Sequence, residues 1–313
     1  MSPAKQRLAR ILKRAERVRD WLVARTVFGL STVLRLLPAR TGIETAAAIA
    51  KALGPLTPRH KLAMDNLRNA YPDRDEAFVR KTARENWGHM GRLAAEYIYL
   101  DSIFDFDPER DPGDPGIVEV DGVELFLELR ERKGPFIFFT AHQGCFELLP
   151  VCAATFGLEV TALFRPPNNR YIAERVLGAR RTAGGHLVPS KAGAVWALAG
   201  AMERGGSVGM LVDQKFTRGQ PGTFFGRPVR TNPLVPKLAR QFDAEVYPAR
   251  SVRLPDGRYR LELMPRLDLP RDATGQIDIS RSCQALNDIV EGWVREHPEQ
   301  WMWFHRRWQV KAS

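Results

Sequence analysis

The chain has 313 residues, enough for one large domain with a sizeable core, and at 44% hydrophobic and 27% charged residues it is neither disordered nor fibrous. Its 47 Lys+Arg against 36 Asp+Glu leave a net charge of +11, which composition alone assigns equally to nucleic acid, anionic lipid or an acidic partner. Three cysteines, Cys145, Cys152 and Cys283, make neither a disulfide framework nor a CxxC pair and point to a reducing compartment.

The charge is unevenly spread. Residues 1–40 hold ten Lys and Arg against Glu16 and Asp20, so +8 of the +11 lies there and +3 in the other 273 residues. Leu8, Ile11, Leu12, Ala15, Val18 and Leu22 recur at helical spacing, which predicts a cationic amphipathic helix. The apolar stretch Trp21 to Leu37 follows, interrupted by Arg25 and Arg35. Its uncharged run, Thr26 to Leu34, is too short for a hydrocarbon core that needs roughly 20 residues. No small-residue cleavage site follows a clean apolar stretch, so a secretory signal is not expected. Basic residues beside a Trp- and Leu-bearing face fit an anchor on an anionic membrane surface. The alternative is a solvated basic helix packed on its own domain. Nucleic acid is not expected as a partner, since the chain carries no C2H2 pattern, RNP-like strand or KH loop.

Up to about Leu100 the pattern is helical. Thr57-Pro58 opens a helix with a cap and an N1 proline that stops at Tyr71-Pro72, and another runs from about Asp75 to Tyr99. The Pro-, Asp- and Gly-rich stretch Phe106 to Gly116 is a loop, after which strands and helices alternate. Strands are expected at Ile117 to Val120, Phe136 to Thr140, Leu158 to Phe164 and Gly206 to Val212. Helices are expected at Val123 to Arg132, Asn168 to Thr182, Ala192 to Glu203 and Pro233 to Phe242. Ala244 to Val252 and Arg258 to Met264, joined by Pro255-Asp256-Gly257, form an antiparallel pair. The alternation predicts an α/β fold with a mixed, mainly parallel central sheet flanked by helices, behind an N-terminal helical segment.

Chemistry concentrates in PFIFFTAHQGCFELLPVCAA, Pro135 to Ala154. An apolar strand ends at Thr140, His142 follows, and Glu147 comes at the start of a helix. On a continuous helix two residues five apart point about 140° away from each other. Gln143-Gly144 can turn the chain instead, bringing both side chains together at the carboxyl end of a strand, where open α/β sheets place their sites. A histidine held by a carboxylate serves as general base for a substrate hydroxyl. The bland alternative is a buried histidine capping its strand and a glutamate favoured by the helix dipole. Cys145 as a nucleophile, or a zinc site from His142, Cys145 and Cys152, has unfavourable spacing. No metal and no cofactor are called for.

The segments NLRNAYPD (66–73), LFRPPNNRYIAERVLGARR (163–181), GMLVDQKF (209–216), GTFFGRPVRTNP (222–233) and PEQWMWFHRRW (298–308) accompany the H-x4-E stretch. In order and spacing, from roughly Leu53 to Trp308, they resemble the bacterial lipid A late acyltransferases, the lauroyl/myristoyl branch of the lysophospholipid acyltransferase superfamily. The resemblance implies a glycerolipid acyltransferase-like fold. It also implies transfer of an acyl chain from an acyl carrier protein thioester to a hydroxyl of a phosphorylated glycolipid, a lipid A precursor of the Kdo2-lipid IVA type, at the cytoplasmic face of the bacterial inner membrane. By that likeness the catalytic pair falls on His142 and Glu147, with Glu147 orienting His142, and the anion-binding arginines on Arg165 and Arg180. The Asp-Gln element falls on Asp213 and Gln214, expected at the substrate. Asp213 either binds a lysine or arginine of the site or caps its loop. Phe224 and Phe225 are candidates for an acyl channel or plain core. Trp301, Trp303 and Phe304 form an interfacial belt or, as the preferred choice, a packed final strand.

The family commonly begins with a clearer hydrophobic anchor than this arginine-interrupted one. The chain is expected to divide into a membrane-associating segment, 1–40, and one α/β acyltransferase domain, 41–313, helical over 41–105. Transfer to another glycolipid or a lysophospholipid, and a non-catalytic lipid-binding protein of the same fold, are the competing functions.

Overall fold

A computed structural model describes residues 3–107, 110, 116–164, 166–182, 186–190 and 193–308, without the side chains of 3–11, 101 and 177–182. The front is helical, as expected: α1 (Pro3–Leu34), α2 (Ala39–Leu53), α3 (Pro58–Ala70) and α4 (Glu76–Ile103). The basic and apolar stretches of the N-terminus are one helix, because no proline interrupts α1 after its start and Gly29 alone costs only about 1 kcal/mol. Asp75 caps α4, its carboxylate accepting from the Phe78 amide at 2.8 Å. Pro58 takes the first position of α3. Thr57 departs from the expected cap, since its hydroxyl donates backwards to the Gly54 carbonyl.

Hydrogen bonds hold α1 and the turn after it to the body. Asn169 donates to the Asp20 carbonyl, Arg35 to that of Ile98, and the Tyr99 hydroxyl to that of Leu34. Ala24 is buried, while Leu12, Val18, Leu22, Leu30 and Val33 are exposed. Among the described residues no helix is long and apolar enough to cross a membrane.

The rest follows the alternation, in the order β1 (Val118–Asp121), α5 (Val123–Arg132), β2 (Phe136–Thr140), α6 (Leu148–Thr155), β3 (Val160–Phe164) and α7 (Arg170–Thr182). Then come β4 (His186–Pro189), α8 (Ala194–Glu203), β5 (Ser207–Leu211), β6 (Gln220–Phe224), β7 (Arg227–Thr231), α9 (Leu234–Phe242), β8 (Glu245–Arg253), β9 (Tyr259–Leu263) and α10 (Ile279–Glu296). The main sheet has seven strands in the order β1-β9-β8-β2-β5-β3-β4. All neighbours are parallel except β8 and β9, the expected antiparallel pair. The β6–β7 hairpin, β4 and α10 are additions to the expected elements. Pro221 and Gly222 in β6 hide the hairpin from strand propensity.

Each face of the sheet carries its own core. Alternation along β2 sends Ile137 and Phe139 to the α9 and α10 side and Phe136 and Phe138 to the α5 and α6 side. The C-terminal aromatics are packed rather than interfacial, with Trp301 and Trp303 fully buried. They form no strand beyond an isolated bridge between Trp301 and Gln143.

Candidate active site

β2 and β5 are parallel neighbours, registered with Thr140 opposite Leu211. Two residues past each strand end stand His142 and Asp213, so the sheet register itself brings them together. β2 leads into α6 on one face and the chain after β5 returns through α9 on the other. Such a divergence opens a crevice at the carboxyl ends of the strands. Gly144 turns the chain after His142 with φ +57°, and a Cβ there would stand 2.0 Å from the Ser251 carbonyl oxygen. Glycine is therefore required at this turn.

The carboxylate that holds His142 is Asp213. His142 Nδ1 lies 2.7 Å from Asp213 Oδ1, while Oδ2 accepts from the His142 amide at 2.8 Å and from Trp301 Nε1 at 2.7 Å. Asp213, not the expected Glu147, is thus the carboxylate bonded to the imidazole; it meets a histidine in place of a lysine or arginine, and its second oxygen caps the loop through the His142 amide. The strand register favours the neighbouring strand's end over a residue five further along the same chain. Burial alone would push the Asp213 carboxyl up. The electrostatic attraction of His142 and the bonds from His142 and Trp301 outweigh it and hold the group down at about 2. A carboxylate acceptor fixes the proton on Nδ1 and leaves the lone pair on Nε2. That lone pair faces the Gln214 amide nitrogen at 3.0 Å.

Glu147 is buried at the start of α6 and accepts from the Tyr97 hydroxyl of α4. It lines an apolar cavity of about 90 Å³ between the sheet and α6, with Phe138, Phe146, Ala162, Gly209 and Leu211 among its walls. Phe146 also packs edge-on against the His142 ring, 5.2 Å between centroids. The site thus combines a tautomer-fixed base, a buried carboxyl group and a small apolar cavity beside it.

Phe224 and Phe225 are elsewhere, buried among Tyr71, Trp301, Trp303 and Trp308 on the opposite core, and neither lines the cavity. Phe225 and Gly226 both have positive φ, +54° and +65°, and form the tight turn of the β6–β7 hairpin. The Phe225 amide donates to Glu291, and Arg295 lies 4.5 Å over its ring. Arg165 lies outside the described residues. Arg180 belongs to α7, with its side chain outside them. Cys145 is fully buried and its thiol is pushed well up, mainly by desolvation, which leaves it a core residue rather than a nucleophile.

Three supporting residues escaped the sequence. Trp301 orients Asp213, Tyr97 holds Glu147, and Arg307 supports the strand end that carries Gln214. Arg307 donates to the carbonyls of Gln214 and Arg230 and to Thr231 and Asn287, and burial pulls its guanidinium down to about 10. For Trp301 and Arg307 the aromatic and arginine density of WMWFHRRW was the signal. Tyr97, within a long helix, gave none.

A family model described as bacterial lipid A biosynthesis acyltransferase matches residues 8–310. A lipid A biosynthesis acyltransferase of Haemophilus influenzae is 25% identical over 186 residues, 58% of this chain and 56% of that relative. The chain therefore spans little more than half the length of the relative it matches.

Proposed function

Because the chain belongs to the bacterial lipid A biosynthesis acyltransferase family, we propose that it moves a fatty acyl chain from an acyl carrier protein thioester to a hydroxyl of a phosphorylated lipid A precursor, with His142 as general base. The observation that carries this is the His142 side chain, proton fixed on Nδ1 by Asp213 and base side turned to Gln214 at the crevice.

An acceptor hydroxyl entering the crevice displaces the Gln214 amide from Nε2 and gives that nitrogen its proton as its oxygen attacks the thioester carbonyl. A carbon–oxygen bond forms, the tetrahedral intermediate collapses, and the carbon–sulfur bond breaks. The leaving thiolate takes the proton back from His142. General-base help of this kind is worth about 10²- to 10⁴-fold. Freed from Nε2, the Gln214 amide is a donor within reach of the developing oxyanion. Asp213 stabilises the imidazolium directly. Glu147, held by Tyr97, contributes a second buried carboxyl group at the same strand end. The chain being transferred occupies the cavity under α6. Arg165 and Arg180 are assigned to phosphates of donor or acceptor, for which guanidinium forks are suited.

The excess of Lys and Arg in residues 1–40 supports a site lying against an anionic leaflet, which we assign to the cytoplasmic face of the inner membrane. Purified protein, assayed with a tetra-acylated disaccharide phosphate and with a lysophospholipid side by side, tests the function. Transfer to the disaccharide that vanishes in His142→Ala, with folding intact, is expected. Near-normal turnover in that variant rejects the mechanism, and preference for the lysophospholipid rejects the acceptor.

A further inference from the structure

A second apolar space lies on the far side of Tyr97. It is a groove of about 490 Å³ between α1, α4 and α7, walled by Phe28, Thr32, Met90, Ala94, Ile172 and Val176. Tyr97 lines this groove, and its hydroxyl bonds Glu147, which lines the cavity under α6. Phe164, at the carboxyl end of β3, lines the groove too, so the groove reaches the end of the sheet where His142 and Asp213 stand. Two apolar spaces are thus separated by one hydrogen bond at the reacting end of the fold.

We propose that the groove holds a non-reacting acyl chain of the acceptor lipid, and that α1 is one wall of the acceptor site as well as an anchor. The proposal rests on the acyltransferase function above. Three observations choose this occupant over the donor's chain. First, α1 walls the groove with Val27 and Phe28 while turning the exposed apolar residues Leu30 and Val33 outward, so the groove and an apolar outer surface share one helix. A lipid rooted in a bilayer needs such a shared wall, whereas a chain delivered by a soluble carrier does not. Second, the rim carries Arg35 and Arg175, the latter 5.4 Å over the Phe28 ring, so cations stand where the phosphates of an amphiphile meet its chains. Third, the cavity under α6, which the proposed function gives to the transferred chain, is a space separate from the groove, the two meeting only where Tyr97 of the groove bonds Glu147 of the cavity.

Photolabelling of the full chain in nonionic detergent reads the two spaces directly. One probe is a tetra-acylated disaccharide bisphosphate with a diazirine midway along a non-reacting chain. The other is acyl carrier protein loaded with a diazirine-bearing dodecanoyl thioester. The disaccharide probe is expected to label peptides within 28–35, 90–98 and 172–176, and the carrier probe those within 146–153. Disaccharide label confined to 146–153, carrier label in the groove, or no label in the groove overturns the proposal. Ala94, exposed in the groove, gives the kinetic arm. Ala94→Trp is expected to raise the acceptor KM about tenfold, what the lost burial of roughly two methylenes is worth. The donor KM and the melting temperature stay unchanged. An unchanged acceptor KM or a raised donor KM overturns the proposal. Groove labelling without transfer to any acceptor by the wild type would count against the acyltransferase function and leave the groove standing.

Discussion

Asp213 accepts three hydrogen bonds inside the protein, two from His142 and one from Trp301, and each constrains what may replace it. In Asp213→Asn one side of the amide must present N–H groups. Facing Oδ2's partners, they meet the His142 amide and Trp301 donors. Facing the imidazole, they drive its proton to Nε2, where it cannot act as base. The variant is expected to lose kcat on the order of 10³- to 10⁴-fold with little change in KM, and a near-normal kcat rejects the tautomer argument. Glu147→Gln keeps the shape and an acceptor for Tyr97 but removes the carboxyl group. A smaller kcat loss, about 10²-fold, is expected.

The same carboxylate ties stability to pH. Its folded value, about 2, lies below the unfolded value of about 3.9, so its stabilisation is complete above pH ~4 and is lost as pH falls toward 2. Chemical denaturation of wild type and Asp213→Asn between pH 5 and 2 checks this. The gap between them should close as the pH drops, and a constant gap contradicts the assignment.

At the scale of elements, the register of β2 against β5 creates the site, and two devices hold the surrounding elements in place. One is Gly144, where the Ser251 carbonyl leaves no room for a side chain. The other is a buried ion pair between α4 and β8. Arg253 meets Glu96 with two nitrogens, Tyr259 donates to Glu96 at 2.9 Å, and both charged residues are almost fully buried. Burial alone would lower the Arg253 guanidinium, yet Glu96 raises it above its ordinary value. Glu96→Ala strands that charge in the core. It is expected to cost about 3–5 kcal/mol of stability, measured by urea unfolding, where a loss under about 1 kcal/mol would deny the pair an anchoring role. Beneath α6, the cavity floor includes Ala162 of β3 and Gly209 of β5, the small residues that keep it open. Ala162→Leu is expected to shift donor preference toward shorter chains, read by competition between dodecanoyl and octanoyl thioesters. An unchanged preference would place the transferred chain elsewhere.

For the molecule as a whole, the +11 charge resolves into a strongly basic helix on a nearly balanced α/β body. Lys13, Arg14 and Arg17 are exposed on α1, and replacing all three by Gln should weaken binding to vesicles containing anionic phospholipid by about 3 kcal/mol, roughly 1 per charge. Wild-type binding should fall with salt, and salt-insensitive binding would argue against the charge. Much of this molecule was legible in its sequence. Hydrophobic periodicity is a local property, so the helical front, strands β1, β2, β3 and β5 and the antiparallel pair β8–β9 followed from spacing and turn residues. The H-x4-E stretch, with its glycine turn, marked the strand end that carries the base. Pairing across the sheet is not local. Whether His142 would meet Glu147, five residues away, or Asp213, 71 residues away, depended on which strand lay beside β2 and in what register, and only the folded sheet decided it in favour of Asp213. The same distinction separates Phe224 and Phe225, whose composition suits a channel, from the opposite core that took them. It separates Tyr97 from every other helix residue, because a hydrogen bond between two elements becomes visible only once both are in place.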